Sequence, residues 1–401
     1  MMKYKLQCCK CGFLTDNFSD WFGSNCYCGH CGGRHVEAFY SADYSLLRAL
    51  INDKPTNMWH YFDFLPLENR EDIVTCNEGA TPLEEWHFLN RYAADNYGLQ
   101  CWVYAYRNDL NEGTFTLKDV AASLTASVLK ENGIVHYCMS STGNSATANA
   151  RYLSKAGIRF TNFAPTTINR NTIEEIRSYG QEVVVIDGDY AQAKKAAVDF
   201  SNENGILMSI GNIDPLRVEA KRTMVFEFMR QLGKLPDVYM QAVAGGTGPI
   251  ALDKGVREIE GCLPEIKMPR LLLVQQDLCD PMVQAWEKAK REGFPENFEN
   301  DYPVIDNPAT SVFILSAGNP GMYPLVAKIV KKSDGVFIRI KESELPDFEQ
   351  TLMKEKSCSI GPAALVCFAG FYQALKEGKI RDGETVVINI GESGRRYVNS
   401  E

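Results

Sequence analysis

A helical spacing of apolar residues marks the segment 118–132. Its apolar side chains recur three or four positions apart, so they share one face of a helix. These positions are Val120, Ala121, Leu124, Val128 and Leu129. The segment is therefore predicted to be a helix with one buried face.

Short β-rich runs alternate with such helical segments through most of the chain. The run 135–140 predicts a strand, and 145–155 predicts the helix that follows it. Further strands are predicted at 182–186, 238–244, 270–275 and 385–390. Strands that alternate with helices are typical of a mostly parallel sheet with an α/β fold.

The length and composition of the chain indicate two lobes. It has 401 residues, of which 45% are hydrophobic and 23% charged, and this length exceeds what one hydrophobic core usually supports. No window approaches the roughly 18 uninterrupted apolar residues of a membrane span. The N-terminus also lacks the apolar core of a secretory signal. We therefore expect a cytoplasmic protein that does not associate with membranes.

The charge of the chain bears on its partners. The formal net charge is −9, and the sequence contains no basic run that would bind a nucleic-acid backbone. A small molecule is the expected partner.

Residues 1–38 form a separate block with the cysteine spacing of a zinc ribbon. Cys8 and Cys11 form one C-x-x-C knuckle, and Cys28 and Cys31 form a second. Two such knuckles bring four thiolates to a tetrahedral ion at about 2.3 Å each. The block is predicted to be a zinc-ribbon-like appendage with a structural zinc ion.

Three further residues leave the ligand set open. Cys9 and Cys26 are additional thiols that could shift the register by a residue or two, and His30 could replace one ligand. A knuckle held by packing alone, without metal, is the other interpretation.

Two loops rich in small and polar residues follow predicted strands. The first consists of Ser140, Ser141, Thr142, Gly143 and Asn144. Its hydroxyl and amide groups could hold a carboxylate, and its asparagine could donate to a phenolate oxygen. The second consists of Gly245, Gly246, Thr247 and Gly248, where the backbone can approach a phosphate closely. Either loop alone is also typical of an ordinary turn.

Lys118 stands at the start of the helix predicted at 118–132. A nucleophilic lysine must lose its proton, and burial beside a cofactor promotes this loss. A lysine at a helix start is otherwise a solvated side chain. The segments that surround Lys118 in the sequence distinguish these two interpretations.

The order of these segments resembles that of fold-type II pyridoxal phosphate (PLP) enzymes, in particular the threonine synthase and cysteate synthase group. Residues 77–83, NEGATPL, are similar to the family's E-G-x-T-P-L segment, and residues 116–119, TLKD, stand where the family has S-F-K-D. Residues 393–397, SGRRY, resemble the S-G-E-R-Y of sulfhydrylases with the same fold. The resemblance covers nearly the whole chain.

The resemblance implies a role for each of these segments. Lys118 would be the Schiff-base lysine, and Asn144 would bind the cofactor O3′. Ser140, Ser141, Thr142 and Gly143 would hold the substrate carboxylate. Gly245, Gly246, Thr247 and Gly248 would bind the PLP phosphate, and Ser393 would meet the pyridine nitrogen.

The resemblance also implies a tryptophan-synthase-β-like body and a homodimer. The large PLP-binding lobe would comprise residues 39–110 and 206–401, and the small substrate-closing lobe residues 111–205. Leu117, Val120 and Pro249 depart from the family pattern, which puts the substrate in doubt.

Two members of this group compete as models. Residues 212–219 resemble the N-P-Y-R-x-E segment of threonine synthase, whereas 232–248, 280–286 and 387–391 are closer to cysteate synthase. The T-G-H-G of threonine synthases is missing, with IGESG at 390–394 in its place.

We therefore expect β-replacement or elimination on an O-phosphorylated amino acid, such as O-phospho-L-serine with sulfite. Threonine synthesis from O-phospho-L-homoserine is the alternative, and a non-catalytic zinc-ribbon binding protein is the second alternative.

Both reactions release phosphate and need a cationic pocket. Arg217 and Lys221 lie one helical turn apart, and a guanidinium fork and an ammonium group can share one phosphate. The other interpretation of this pair is a solvated helix face.

Overall fold

The computed structural model describes residues 3–261, 263 and 266–397. The strands are β1 (Tyr4–Cys8), β2 (Leu14–Thr15), β3 (Val36–Tyr40), β4 (Leu83–Glu85), β5 (Trp102–Arg107), β6 (His136–Ser140), β7 (Arg159–Pro165), β8 (Glu182–Ile186), β9 (Leu207–Met208), β10 (Val238–Ala242), β11 (Arg270–Gln276), β12 (Val336–Ile340) and β13 (Thr385–Ile390). The helices are α1 (Phe18–Gly23), α2 (Tyr44–Ile51), α3 (His87–Tyr97), α4 (Lys118–Glu131), α5 (Asn144–Lys155), α6 (Arg170–Ser178), α7 (Tyr190–Asn204), α8 (Pro215–Lys221), α9 (Thr223–Leu232), α10 (Thr247–Glu260), α11 (Pro281–Arg291), α12 (Tyr323–Lys332), α13 (Leu345–Lys356) and α14 (Pro362–Lys376).

The chain packs as two compact units. The described residues of unit 1 fall within Met1–Ala80 and Asn111–Thr223, and those of unit 2 within Thr81–Leu110 and Met224–Glu401. Each unit therefore takes its residues from two separate stretches of chain.

Unit 1 contains two sheets. The ribbon sheet is antiparallel, in the order β2-β1-β3, and the second sheet is parallel, in the order β8-β7-β6-β9. Helix α4 packs against α5 and α8, and α7 covers β6 and β7. Apolar residues of α4 and α5 form one core with those of β6, β7 and β8. Every residue of α4 from Asp119 to Leu129 is buried, because α5 and α8 both pack on it, so the expectation of a single buried face is wrong.

A buried ion pair joins the ribbon sheet to α8 within unit 1. Glu219 accepts hydrogen bonds from the Ala38 N–H at 2.9 Å and from the Tyr40 hydroxyl at 2.6 Å, and Arg222 Nε donates to its carboxylate at 2.7 Å. Glu219 and Arg222 are both fully buried. Because removing one partner would leave an uncompensated buried charge, this pair fixes the ribbon on the helix.

Unit 2 is built on a six-stranded sheet in the order β12-β11-β10-β13-β5-β4. All neighbouring strands are parallel except β4, which pairs with β5 in the antiparallel direction. Helix α14 crosses β10, β11, β12 and β13. A Cβ at Gly370 would lie 2.5 Å from Val274 Cγ2, so this helix lies against the sheet at a distance that only glycine permits.

The predicted α/β fold with parallel sheets is confirmed. The predicted helix 118–132 ends at Glu131, and the strand predicted to reach residue 244 ends at Ala242. Among the helices in the described part of the chain, none combines the length and apolar character that a membrane span requires.

Candidate active site

Lys118 is the first residue of α4 and is half-buried. Its backbone N–H donates to Thr116 Oγ1 at 3.1 Å. The next residue, Asp119, is fully buried, and its carboxylate accepts from the N–H groups of Thr114 and Thr116 at 2.8 and 3.2 Å. The loop before the lysine is thus held by the acidic residue that follows it.

The carboxyl group of Asp119 has an unusual proton affinity. Burial raises the pKa of Asp119 to about 7, although its hydrogen bonds from Thr114 and Thr116 act in the opposite direction. A nearby carboxylate, Glu78, also raises it. A buried acid directly beside Lys118 therefore titrates near neutral pH.

The NEGATPL segment supports the lysine loop from the other side. Glu78 is fully buried and accepts from the Tyr152 hydroxyl at 2.7 Å and from the Cys76 N–H at 2.7 Å. The Gly79 N–H donates to Asn111 Oδ1 at 2.8 Å, and Asn111 Nδ2 donates to the carbonyl of Thr116 at 3.1 Å. The segment therefore positions the start of α4.

The serine-rich loop connects the end of β6 with the start of α5. The structure places Ser140 at the last position of β6, Gly143 at the N-cap of α5 and Asn144 at its first residue, with Ser141 and Thr142 between them. The Oγ of Ser140 is buried and has no hydrogen-bond partner among the described residues. Such an atom suits a polar ligand group at this loop.

Two residues that sequence reasoning missed hold this loop. Asn162, fully buried on the neighbouring strand β7, donates from Nδ2 to the carbonyl of Ser141 at 2.9 Å. Tyr190, the first residue of α7, donates to the carbonyl of Ser140 at 3.2 Å. The available signal for Asn162 was an amide close to Phe160, Phe163 and Ala164 in a β-rich run.

The predicted phosphate-binding pair lies on α8, close to this loop. Lys221 is buried, and burial lowers the pKa of Lys221 well below its ordinary value. The positive charges of Lys118 and Arg217 lower it further. Desolvation of the hydroxyl raises the pKa of Tyr190, and the charge of Arg217 lowers it. Lys118, Arg217 and Lys221 thus form a cationic cluster beside the loop that starts at Ser140.

The glycine loop of unit 2 lies between β10 and α10. Gly246 has a φ of +82° and caps α10, and Thr247 is the first residue of the helix. A Cβ at Gly246 would lie 2.5 Å from Val326 Cγ2, and one at Gly248 would lie 2.1 Å from Gln241 Oε1. The loop from Gly245 to Gly248 therefore presents backbone amides at a helix N-terminus, where an anion is stabilised.

Ser393 follows the end of β13. It is buried, and its Oγ accepts from the Arg395 N–H at 3.3 Å. The adjacent Glu392 uses its carboxylate to accept from the Ala363 N–H and the Tyr397 hydroxyl, both at 2.9 Å. Glu392 therefore holds the turn that presents Ser393.

Within each unit the predicted residues gather at one edge of the parallel sheet. In unit 2, β10 and β13 are parallel neighbours, so Gly245 and Ser393 follow their carboxyl ends. In unit 1, Ser140 ends β6, and Arg217 is tied to Ser209 after the parallel strand β9. The carboxyl edge is where open α/β sheets bind ligands.

The four predicted zinc ligands converge in the ribbon. The Sγ atoms of Cys8 and Cys31 are 3.6 Å apart, as are those of Cys11 and Cys28. Their four ligand atoms all lie within 4.8 Å of one another. Tetrahedral thiolates at about 2.3 Å from a zinc ion would be separated by similar distances.

Comparison with known proteins identifies the family of this chain. Residues 74–391 match the family model described as "Pyridoxal-phosphate dependent enzyme". The chain is 25% identical over 395 residues to the threonine synthase of Methanocaldococcus jannaschii, with 96% of this chain and 91% of that protein covered. It is 26% identical over 407 residues to the cysteate synthase of Methanococcoides burtonii, with 100% and 91% covered.

Solved structures share the fold at lower identity. Maize serine racemase matches with a TM-score of 0.62 at 15% identity, covering 79% of this chain and 89% of that one. A cysteine synthase from Entamoeba histolytica matches with a TM-score of 0.60 at 18% identity, covering 80% and 87%. These likenesses concern the architecture alone.

Proposed function

Since the chain belongs to the pyridoxal-phosphate dependent enzymes, we propose that it replaces the phosphate of an O-phosphorylated amino acid with a nucleophile, as a cysteate synthase does. The family resemblance found in the sequence is confirmed at the level of the threonine and cysteate synthase group. The substrate, the nucleophile and the roles of the individual residues are the proposal.

The cationic cluster of unit 1 is the observation that carries this proposal. Lys221 is buried, and the charges of Lys118 and Arg217 that act on it are also positive. A phosphate group would relieve this repulsion and would accept hydrogen bonds from an ammonium group and a guanidinium fork. A substrate that carries a phosphate therefore suits this cluster better than one with a neutral leaving group.

The residues of each unit fit the cofactor and the substrate. Gly245 to Gly248, with the backbone N–H groups at the start of α10, would hold the cofactor phosphate, and Ser393 would meet the pyridine nitrogen. Asn144 would bind the phenolic oxygen. The buried Oγ of Ser140, for which the described part of the chain offers no hydrogen-bond partner, suits the substrate carboxylate. When bound, PLP disperses the negative charge that develops at the substrate α-carbon.

Lys118 is proposed to bind the cofactor covalently and to carry the α-proton. Its ammonium group must lose a proton before it can accept one from the substrate α-carbon. Arg217 and Lys221 would hold the substrate phosphate as it leaves. With O-phospho-L-serine and sulfite, the β-carbon to oxygen bond breaks, a carbon to sulfur bond forms, and the products are cysteate and inorganic phosphate.

The proposal is tested by product identification. The enzyme with PLP is incubated with O-phospho-L-serine or O-phospho-L-homoserine, with and without sulfite, and released phosphate and amino-acid products are measured. Sulfite-dependent cysteate formation from O-phospho-L-serine is expected. Lys221→Met should slow phosphate release, whereas Lys194→Met, which removes an exposed lysine of α7, should leave it unchanged.

Threonine synthesis is the second candidate. It is favoured by the similarity to the Methanocaldococcus jannaschii threonine synthase over 96% of this chain, and by the threonine-synthase-like segment 212–219 that contains Arg217. Threonine formed from O-phospho-L-homoserine, with no product from O-phospho-L-serine, would decide in its favour.

Two further features complete the proposal. The cluster of Cys8, Cys11, Cys28 and Cys31 would bind a structural zinc ion, and the distances between its sulfur atoms support this assignment. The enzyme would work as a homodimer. Metal analysis of the purified chain and light scattering test these two statements separately.

A further inference from the structure

The antiparallel register of the ribbon sheet places a second set of metal-binding side chains together. Gln7 pairs with Glu37 and Cys8 with Val36 in the β1–β3 ladder. The Cys9 N–H then donates to the carbonyl of His35 at 3.0 Å, which continues the ladder by one residue. Cys9, in the turn after β1, is thus opposite His35, which directly precedes β3, and Glu37 is two positions further along the chain.

This set is separate from the four-cysteine cluster. Cys9 lies in the turn directly after β1, and its Sγ belongs to a different group of converging ligand atoms from that of Cys8. His35 and Glu37 are two apart, and their ligand atoms converge with that of Cys9. The ribbon therefore carries two separate groups of converging ligand atoms, the four-cysteine cluster and the set of Cys9, His35 and Glu37.

We propose that Cys9, His35 and Glu37 form a second metal site, which binds a divalent zinc-class ion with an open coordination position. One ligand atom from each side chain lies within 4.8 Å of the other two. A thiolate, an imidazole and a carboxylate are the donors that zinc takes in proteins. Magnesium and calcium prefer oxygen donors alone, so the mixed set selects against them.

Three protein ligands leave the fourth tetrahedral position for an exchangeable molecule. Cys9 is exposed and His35 is half-buried, whereas Glu37 is only 8% exposed. The open position therefore faces solvent, and the buried carboxylate fixes the ion to the sheet. Water or a small thiol is the chemical class of ligand that such a position takes.

The four-cysteine cluster does not need Cys9. Its own sulfur atoms form two pairs, each 3.6 Å apart, and together they supply the four ligands of a closed structural site. The two sets share no residue. They are therefore expected to bind two ions independently and with different strength, because a three-ligand site holds its ion less tightly.

Cobalt and zinc titrations of the untagged, full-length, PLP-loaded protein test the proposal. We expect two equivalents of metal per chain, of which a chelator removes one at a lower concentration. The cobalt-loaded protein should show stronger thiolate-to-metal charge transfer for the tightly held ion, which has four sulfur ligands, than for the other. Only the more weakly held ion should respond to an added small thiol.

Two ribbon histidines provide a matched pair of variants. His35→Gln should abolish the weaker equivalent, and Cys9→Ser, at an exposed position, should do the same. His30→Gln should keep both equivalents, since His30 lies outside both sets and stacks on Phe13 with ring centroids 6.0 Å apart. A single equivalent in the unaltered protein, or two equivalents in both His35→Gln and Cys9→Ser, would overturn the proposal.

Discussion

Tyr152 donates its hydroxyl group to the carboxylate of Glu78 at 2.7 Å, and neither side chain is exposed to solvent. A Cβ atom added at Gly113 would lie only 2.5 Å from this hydroxyl group, so the backbone at Gly113 passes close to Tyr152. Helix α5 thereby supports both the NEGATPL segment and the loop that leads to Lys118.

Tyr152→Phe removes one donor from this buried carboxylate. We expect the free energy of unfolding to fall by about 1–3 kcal/mol, the typical cost of an unsatisfied buried group. Urea denaturation measures the loss. Tyr179→Phe, which removes a longer bond of 3.3 Å to the half-buried Glu175, should cost less; equal losses in the two variants would contradict this account of Glu78.

Asp119 should make the stability of the protein depend on pH. Its pKa is raised from 3.8 to about 7, chiefly by burial, so the folded state binds more protons than the unfolded state between these values. The free energy of unfolding is therefore expected to fall as pH rises through this range. Asp119→Asn should remove this part of the slope, as measured by urea denaturation at a series of pH values. An unchanged slope would show that Asp119 does not titrate as inferred.

Lys221 should give anion binding a pH dependence of its own. Because burial and the charges of Lys118 and Arg217 lower its pKa, Lys221 loses its charge at a lower pH than an exposed lysine does. Affinity for sulfate, which stays doubly charged, should therefore fall as pH rises. Calorimetric titration with sulfate at a series of pH values should show this decline in affinity for the Lys194→Met variant. In the Lys221→Met variant the affinity should be lower and should change less with pH. Identical profiles would exclude Lys221 from the anion site.

Asn162→Ala should loosen the serine-rich loop without touching the cofactor lysine. The variant loses the hydrogen bond to the Ser141 carbonyl at 2.9 Å. A loss of about 1.4 kcal/mol of binding free energy corresponds to a tenfold lower affinity for the substrate. We expect KM for the amino acid to rise about tenfold and kcat to change less. Steady-state kinetics provide the test, with Asn204→Ala at the exposed end of α7 as the control. A fall in kcat alone would contradict the role of Asn162.

Gly246→Ala should weaken cofactor binding. The backbone at Gly246 has a φ of +82°, and the added Cβ would meet Val326. A left-handed conformation costs a non-glycine residue about 1–2 kcal/mol, so PLP affinity should fall about tenfold or more. Fluorescence titration with PLP measures the change. Gly261→Ala, at the other end of α10 with a φ of −61°, is the control and should bind PLP normally.

The sequence predicts the features that depend on local pattern. The helix that starts at Lys118, the strand that ends at Ser140 and the loop that starts at Gly245 each follow from periodicity or from short runs of small residues. These segments carry most of the predicted cofactor contacts. They are also the parts for which the family resemblance was visible.

Features that depend on strand pairing could not be predicted in this way. Asn162 matters because β7 lies beside β6, and Cys9 meets His35 only through the β1–β3 register. Glu78 and Tyr152 are far apart in sequence and meet in the core. In each case the contact is set by tertiary packing, on which a single sequence carries no periodic signal.

Reductive trapping of the cofactor tests the central claim most directly. The PLP-loaded protein is treated with borohydride, digested and analysed by mass spectrometry, with and without prior addition of O-phospho-L-serine. We predict that the reduced cofactor is found on the peptide containing Lys118, and that O-phospho-L-serine protects this lysine from labelling. A label on a different lysine would contradict the assignment of Lys118. A label on Lys118 whose amount stays the same after addition of O-phospho-L-serine or of O-phospho-L-homoserine would contradict a phosphorylated amino-acid substrate.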